Sequence, residues 1–117
     1  MDLIIGGVYQ GKLQYAMDTF GVREDEVFRC ADEPVLDTSK RCVYGFEAYL
    51  RACLRAGAEP ELPEHGVVIC QDIFCGVVPL TFEERQWREL TGRSLTALAA
   101  KADTVTRIFC GLPQRLK

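Results

Sequence analysis

The stretch Leu3-Ile4-Ile5-Gly6-Gly7-Val8-Tyr9-Gln10-Gly11-Lys12-Leu13 decides the fold. Leu3 to Ile5 form a short apolar run suited to a buried strand, and two glycines follow it directly. Beyond Gly11 the apolar positions Tyr15, Ala16 and Phe20 fall at helical spacing, and Gly21 suits a helix stop because it takes positive φ without a Cβ clash. A strand, a glycine turn and a helix in that order give the pattern G-x-x-x-x-G-K a physical purpose. Backbone N–H groups curl inward, the helix N-terminus adds partial positive charge, and the lysine reaches the outer phosphates of a triphosphate. Gly6, Gly7, Val8, Tyr9, Gln10, Gly11, Lys12 and Leu13 are therefore the candidate nucleotide-binding segment, with ATP or GTP as the guest. The Ser or Thr that ordinarily follows the lysine and touches Mg²⁺ is Leu13 here, so a metal would draw its oxygens from elsewhere or from water.

Further along, Val27 to Cys30 reads as a second short strand, and the acidic, proline-containing stretch Ala31 to Ser39 as a loop. From Cys42 the apolar residues recur at Phe46, Tyr49, Leu50, Cys53 and Leu54, a spacing that predicts one helix starting at Cys42 and stopped by Gly57 and Pro60. Arg51 and Arg55 fall near its end, where cations favour the dipole. After the polar linker Ala58 to His65, Val67-Val68-Ile69-Cys70 is apolar on both faces, as a central strand of a parallel sheet requires, and is the segment expected to be most deeply buried. Thr81 and Glu84 form a capping box at the head of a long helix, with Phe82, Trp87, Leu90, Leu95, Leu98 and Ala102 as apolar contacts and Gly92 as a candidate bend. Val105 to Phe109 is the last strand expected, and Gly111 to Lys117 a tail. Alternating strands and helices predict a single α/β domain over residues 1–117 with a largely parallel sheet.

Composition agrees with one domain: 117 residues, 48% of them hydrophobic, with a net charge of −3. The apolar content excludes disorder, and the absence of a dense Lys/Arg block argues against a nucleic-acid partner. No apolar run approaches the ~20 residues that cross a bilayer, and the first residues carry no basic n-region, so a cytoplasmic location away from membranes is expected. The six cysteines include no Cys-x-x-Cys pair, and His65 is not at zinc-ligand spacing from any of them. They read as small buried hydrophobes, and His65 as a loop residue.

A carboxylate partner for the loop belongs at the C-terminal end of a neighbouring strand, where ligands of open α/β sheets sit. Asp72, just beyond Cys70, is the candidate catalytic residue alongside Lys12, able to hold Mg²⁺ through water or to orient an attacking hydroxyl. Asp37, after Val35-Leu36, is its rival.

Two blocks together resemble the adenosylcobinamide kinase/adenosylcobinamide-phosphate guanylyltransferase family of cobalamin biosynthesis. The first is Leu3 to Lys12, similar to that family's strand and Gly-Gly-x-x-x-Gly-Lys loop. The second reads Cys70-Gln71-Asp72-Ile73-Phe74-Cys75-Gly76-Val77-Val78-Pro79, in register with the family's Ser-Asn-Glu-Val-Gly-x-Gly-Ile-Val-Pro. It continues through Arg85, Trp87, Arg88, Gly92-Arg93 and Leu98-Ala99-Ala100 to the ending Gly111-Leu112-Pro113-x-Arg115-Leu116-Lys117. The blocks span roughly half the chain. The resemblance implies a P-loop NTPase-like (RecA-like) three-layer fold, a nucleotide on the glycine loop, and a corrinoid substrate whose aminopropanol hydroxyl receives the γ-phosphoryl group. It also implies a homo-oligomer. By position, Lys12 would stabilise the transferred phosphate, Asp72 stands for the family's glutamate, and Arg85, Arg88 and Arg93 keep basic positions suited to phosphate or substrate. The departures are Leu13 for the loop hydroxyl, Gln10 for a serine and Leu95 for an asparagine. The centre of the chain is short, and His65 does not match the setting of the family's guanylylated histidine, so the guanylyltransferase activity is expected to be absent. The alternative that Leu13 raises is a degenerate member that binds nucleotide or corrinoid without turnover. Base preference and oligomer size have no short sequence motif.

Overall fold

In the computed structural model, which describes residues 1–8, 10–73 and 81–117, the chain runs β1 (Asp2–Gly6), α1 (Lys12–Phe20), β2 (Val27–Arg29), β3 (Cys42–Tyr44), α2 (Phe46–Ala56), β4 (Val67–Gln71), α3 (Phe82–Lys101), β5 (Thr104–Phe109) and β6 (Leu112–Arg115). The strands form one sheet in the order β2-β3-β4-β1-β5-β6, parallel throughout except for the antiparallel β5–β6 pair. The chain builds three strands to one side of β1 before crossing to the other, so its order reverses at the strand that carries the glycine loop.

Because side chains alternate across a strand, each central strand serves two cores. Leu3, Val68, Cys70 and Val105 face α2 and α3, where they meet Phe46, Leu50 and Leu98. Ile4, Val67, Ile69 and Ile108 face Ala16 of α1 on the opposite side. The result is a three-layer α/β arrangement, with Val68, Ile69 and Cys70 of β4 wholly buried as their continuous apolar run predicts. Gly21 holds the place expected of it, and Gly6, read as the head of the loop, is the last residue of β1 and lies off the wall of the cavity described below. Gly21 ends α1 at φ 66°, and Gly6 pairs so closely with β5 that a Cβ there would stand 2.6 Å from Ile108 O.

Four expectations are corrected. Cys42 does not begin a helix: Cys42–Tyr44 is strand β3, and the helix starts at Phe46 after Gly45 at φ 79°. The four-residue step from Cys42 to Phe46 imitates one helical turn, whereas Cys42 and Val43 are buried in register with Val67 and Val68. The tail is not loose, because Leu112–Arg115 folds back as β6. Gly92 does not split α3, which is continuous over Phe82–Lys101 with Thr81 Oγ1 accepting the Glu84 N–H at its head. Phe82 is exposed rather than packed. Among the described cysteines, Cys42, Cys53 and Cys70 are buried and Cys30 is half-buried, as read, while Cys110 is exposed. His65 is an exposed loop residue.

Candidate functional site

At the C-terminal ends of β1, β3 and β4 lies a cavity of about 230 Å³, walled by the glycine loop, by Tyr44 and Gly45 after β3, and by Glu47 and Gln71. Val8, Gln10, Gly11, Lys12 and Leu13, all predicted here, line it together. Gly11 caps α1 at φ 87° and supplies no side-chain cap. The first α1 bond runs from Tyr15 N–H to Gly11 O at 3.0 Å, so the N–H groups of Lys12, Leu13 and Gln14 have no intrahelical acceptor at the cavity wall. A concave wall of helix-terminal amides and one lysine is a physical match for an anion.

Lys12 is only 7% exposed. Its ammonium donates to Gly7 O at 2.6 Å, inside the turn of the loop. Burial lowers its pKa from the ordinary lysine value, and the charges of Glu47, Cys70 and Asp72 oppose that shift, with Glu47 the strongest of the three. The loop itself is braced from behind by the turn between β5 and β6. Gln10 Oε1 accepts the Cys110 N–H, and Gln10 O accepts the Gly111 N–H at 3.1 Å. Cys110 holds φ 51°, the one positive φ among the described non-glycine residues. Gly11 packs so near Gly111 that a Cβ would stand 3.7 Å from its Cα.

Asp72 sits where expected, at the end of β4, with its N–H donating to Gly6 O at 2.7 Å and its charge acting on Lys12. It does not line the cavity; the carboxylate on the wall is Glu47. Glu47 lies in the first turn of α2, and its Oε1 accepts the Gln71 N–H at 2.7 Å. Its carbonyl accepts the Trp87 indole N–H at 2.8 Å, and Arg51 stacks on that ring with its guanidinium carbon 4.4 Å from the centroid. Glu47 had a sequence signal that went unread: it follows strand β3 just as Asp72 follows β4, and is hidden only if β3 is taken for helix.

The other candidates are not brought to the loop. Asp37 spends its carboxylate on its own turn, where Oδ1 accepts the Ser39 N–H at 3.0 Å and the Ser39 hydroxyl, which holds its pKa below the ordinary carboxylate value. Arg93 borders a separate hollow with Gly57 and Pro60, beyond the opposite end of α2. Arg85 and Arg88 lie on α3, outside the cavity wall. Tyr9 and the segment from Phe74 to Pro79 of the resemblance lie outside the described residues.

A divalent cation has a plausible donor set here only in reduced form. Leu13 offers no oxygen, and the described residues contain no group of three or more His, Cys, Asp or Glu side chains placed for a metal. Glu47 offers one oxygen, since Oε1 is taken by the Gln71 N–H and Oε2 has no hydrogen-bond partner among the described residues. One carboxylate plus phosphate oxygens and water suffices for Mg²⁺, which rarely sheds its water for an all-protein cage. No described helix is long and apolar enough to cross a membrane. No protein-family model matches the chain, and no curated protein matches it in sequence.

Proposed function

We propose that the chain is a P-loop NTPase-like, RecA-like nucleotide-binding protein that transfers the γ-phosphoryl group of ATP or GTP to the hydroxyl of adenosylcobinamide. One observation carries the reading. A lysine buried inside a glycine turn, at an uncapped helix N-terminus, opens onto a cavity at the point where strand order reverses. At about 230 Å³ the cavity is smaller than the ~300–1,000 Å³ that whole ligands occupy. It suits a phosphate chain, leaving base, ribose and corrin ring on the open side.

In this reading the loop amides and Lys12 hold the β- and γ-phosphates, and Lys12 exchanges its bond to Gly7 O for phosphate oxygen. The substrate oxygen forms a bond to the γ-phosphorus as the bond to the β–γ bridging oxygen breaks, and the hydroxyl proton passes to a carboxylate, Asp72 or Glu47, or to water. Bound Mg²⁺ would supply charge neutralisation between the phosphates. Leu13 on the cavity wall favours a second reading, in which the chain binds nucleotide or corrinoid and assists a partner or another copy of itself without turnover.

Melting with and without ATP, GTP and Mg²⁺ tests binding: a ligand at 100 times its Kd adds ~2.7 kcal/mol. A rise with either nucleotide that Lys12→Ala abolishes is expected, and no rise with both rejects the reading. Incubation with adenosylcobinamide and labelled nucleotide then separates the two forms. A labelled phosphate ester marks the kinase, and binding without ester at high protein concentration marks the accessory.

A further inference from the structure

We propose that Glu47 is the residue that holds a divalent cation against the phosphates of the bound nucleotide, the place Leu13 cannot fill; this rests on the nucleotide reading above. Among the described carboxylates it is Glu47 that shares a cavity wall with Gly11, Lys12 and Leu13. Its geometry is fixed before any ligand arrives. Oε1 is tied to the Gln71 N–H at 2.7 Å, and the backbone of the same turn is tied through its carbonyl to the Trp87 indole at 2.8 Å. Arg51 lies over the face of that ring. Oε2 has no hydrogen-bond partner among the described residues, and it lies near Gly45, whose other neighbours are the carbonyl and Cβ of Cys30. A cation there would meet one carboxylate oxygen, two phosphate oxygens and water, a set suited to Mg²⁺. Lys12, an ammonium on the same wall, neutralises phosphate from the loop side, so the two positive groups would flank the phosphate chain.

The charge of Glu47 gives this assignment a distinctive consequence. Without metal, a carboxylate on the wall repels a triphosphate; with metal it attracts one through the cation. Glu47→Gln keeps an oxygen for the Gln71 N–H and removes the charge, so it separates this role from a folding role. In the parent protein, Mg²⁺ is expected to tighten ATP binding by about tenfold or more, the size expected for one nearby charge in a partly solvated site. In Glu47→Gln, ATP in EDTA is expected to bind more tightly than to the parent, while Mg²⁺ adds less than about twofold. Trp87, the chain's only tryptophan, gives a second readout through its bond to the Glu47 carbonyl. Mn²⁺ with ATP should broaden the Trp87 indole N–H resonance in the parent and leave it sharp in Glu47→Gln.

If Glu47→Gln retains the metal dependence and the broadening, or if Asp72→Asn alone loses them, Glu47 does not hold the cation. Equal ATP binding by the parent with and without Mg²⁺ also removes the assignment and leaves nucleotide binding intact. No ATP binding under either condition removes both.

Discussion

At the scale of single residues, Gly6 is where the backbone of the loop strand has no room to spare. The 2.6 Å approach of a Cβ to Ile108 O is against backbone, which cannot swing aside. Gly6→Ala is therefore expected to cost about 1–3 kcal/mol, the range of an overpacked site, and to push β1 away from β5 just before the loop. A urea melt measures the cost, and an unchanged midpoint would mean that the sheet yields there freely. The thiols offer a pH prediction. Burial pushes Cys42 up to about 11 and Cys30 up to about 12, and pushes Cys70 higher still. An unfolded thiol ionises near ~8.5, so above that pH the unfolded chain releases protons that the folded chain retains, and stability falls as pH rises towards the folded values. The fall between pH ~9 and ~11 is expected to be shallower in Cys42→Val, which has one thiol fewer to ionise. Iodoacetamide at pH ~8 should reach exposed Cys110 first among the described cysteines, with Cys42, Cys53 and Cys70 reacting only as the domain unfolds. Peptide mapping over time decides it, and early labelling of Cys70 would contradict its burial.

At the scale of elements, the last hairpin acts on the first loop. Gln10 receives N–H groups from both Cys110 and Gly111, one on its side-chain oxygen and one on its carbonyl, so the β5–β6 turn sets the loop's shape across nearly the whole length of the chain. Removing the side-chain bond in Gln10→Ala is expected to cost ~1 kcal/mol, to speed hydrogen exchange at the Cys110 amide and to weaken nucleotide binding. Gln10→Glu keeps the accepting oxygen and should restore the slow exchange; fast exchange in both variants would show that the backbone bond alone sets the turn. This brace also marks where the sequence stopped being readable. β1, α1, β4 and the capped start of α3 announce themselves through local patterns: apolar runs, helical spacing, positive-φ glycine, a Thr-x-x-Glu cap. β3 and β6 do not: the step from Cys42 to Phe46 imitates a helical turn while β3 owes its place to pairing with the distant β4, and β6 is wholly exposed and carries a proline, so no apolar alternation marks its hairpin with β5. The site followed the same division. Lys12 and the loop were legible because they are contiguous, whereas Glu47 was not, because its place depends on β3 being a strand. Asp37, Arg85, Arg88 and Arg93 had suitable chemistry, but the fold leaves them off the cavity wall.

At the scale of the whole molecule, the buried ammonium of Lys12 opposes folding as much as it helps it. It is 7% exposed, burial depresses its pKa, and its one described hydrogen bond is to Gly7 O. Burying a charge costs free energy that such a bond and partly screened carboxylates return only in part. A residue kept under those terms is expected to be retained for a ligand rather than for stability. Lys12→Met conserves an unbranched chain of similar length and removes the charge. The ligand-free variant should be as stable as the parent or more stable by about 1 kcal/mol, a rise in Tm on the order of 4 °C. It should at the same time lose the stabilisation that nucleotide gives the parent, so the two melting curves cross in order when ATP is added. Differential scanning calorimetry with and without ATP measures both halves in one experiment. A lower Tm for ligand-free Lys12→Met would instead make the bond to Gly7 O a structural tie of the loop, with the lysine serving the fold and phosphate having no claim on it.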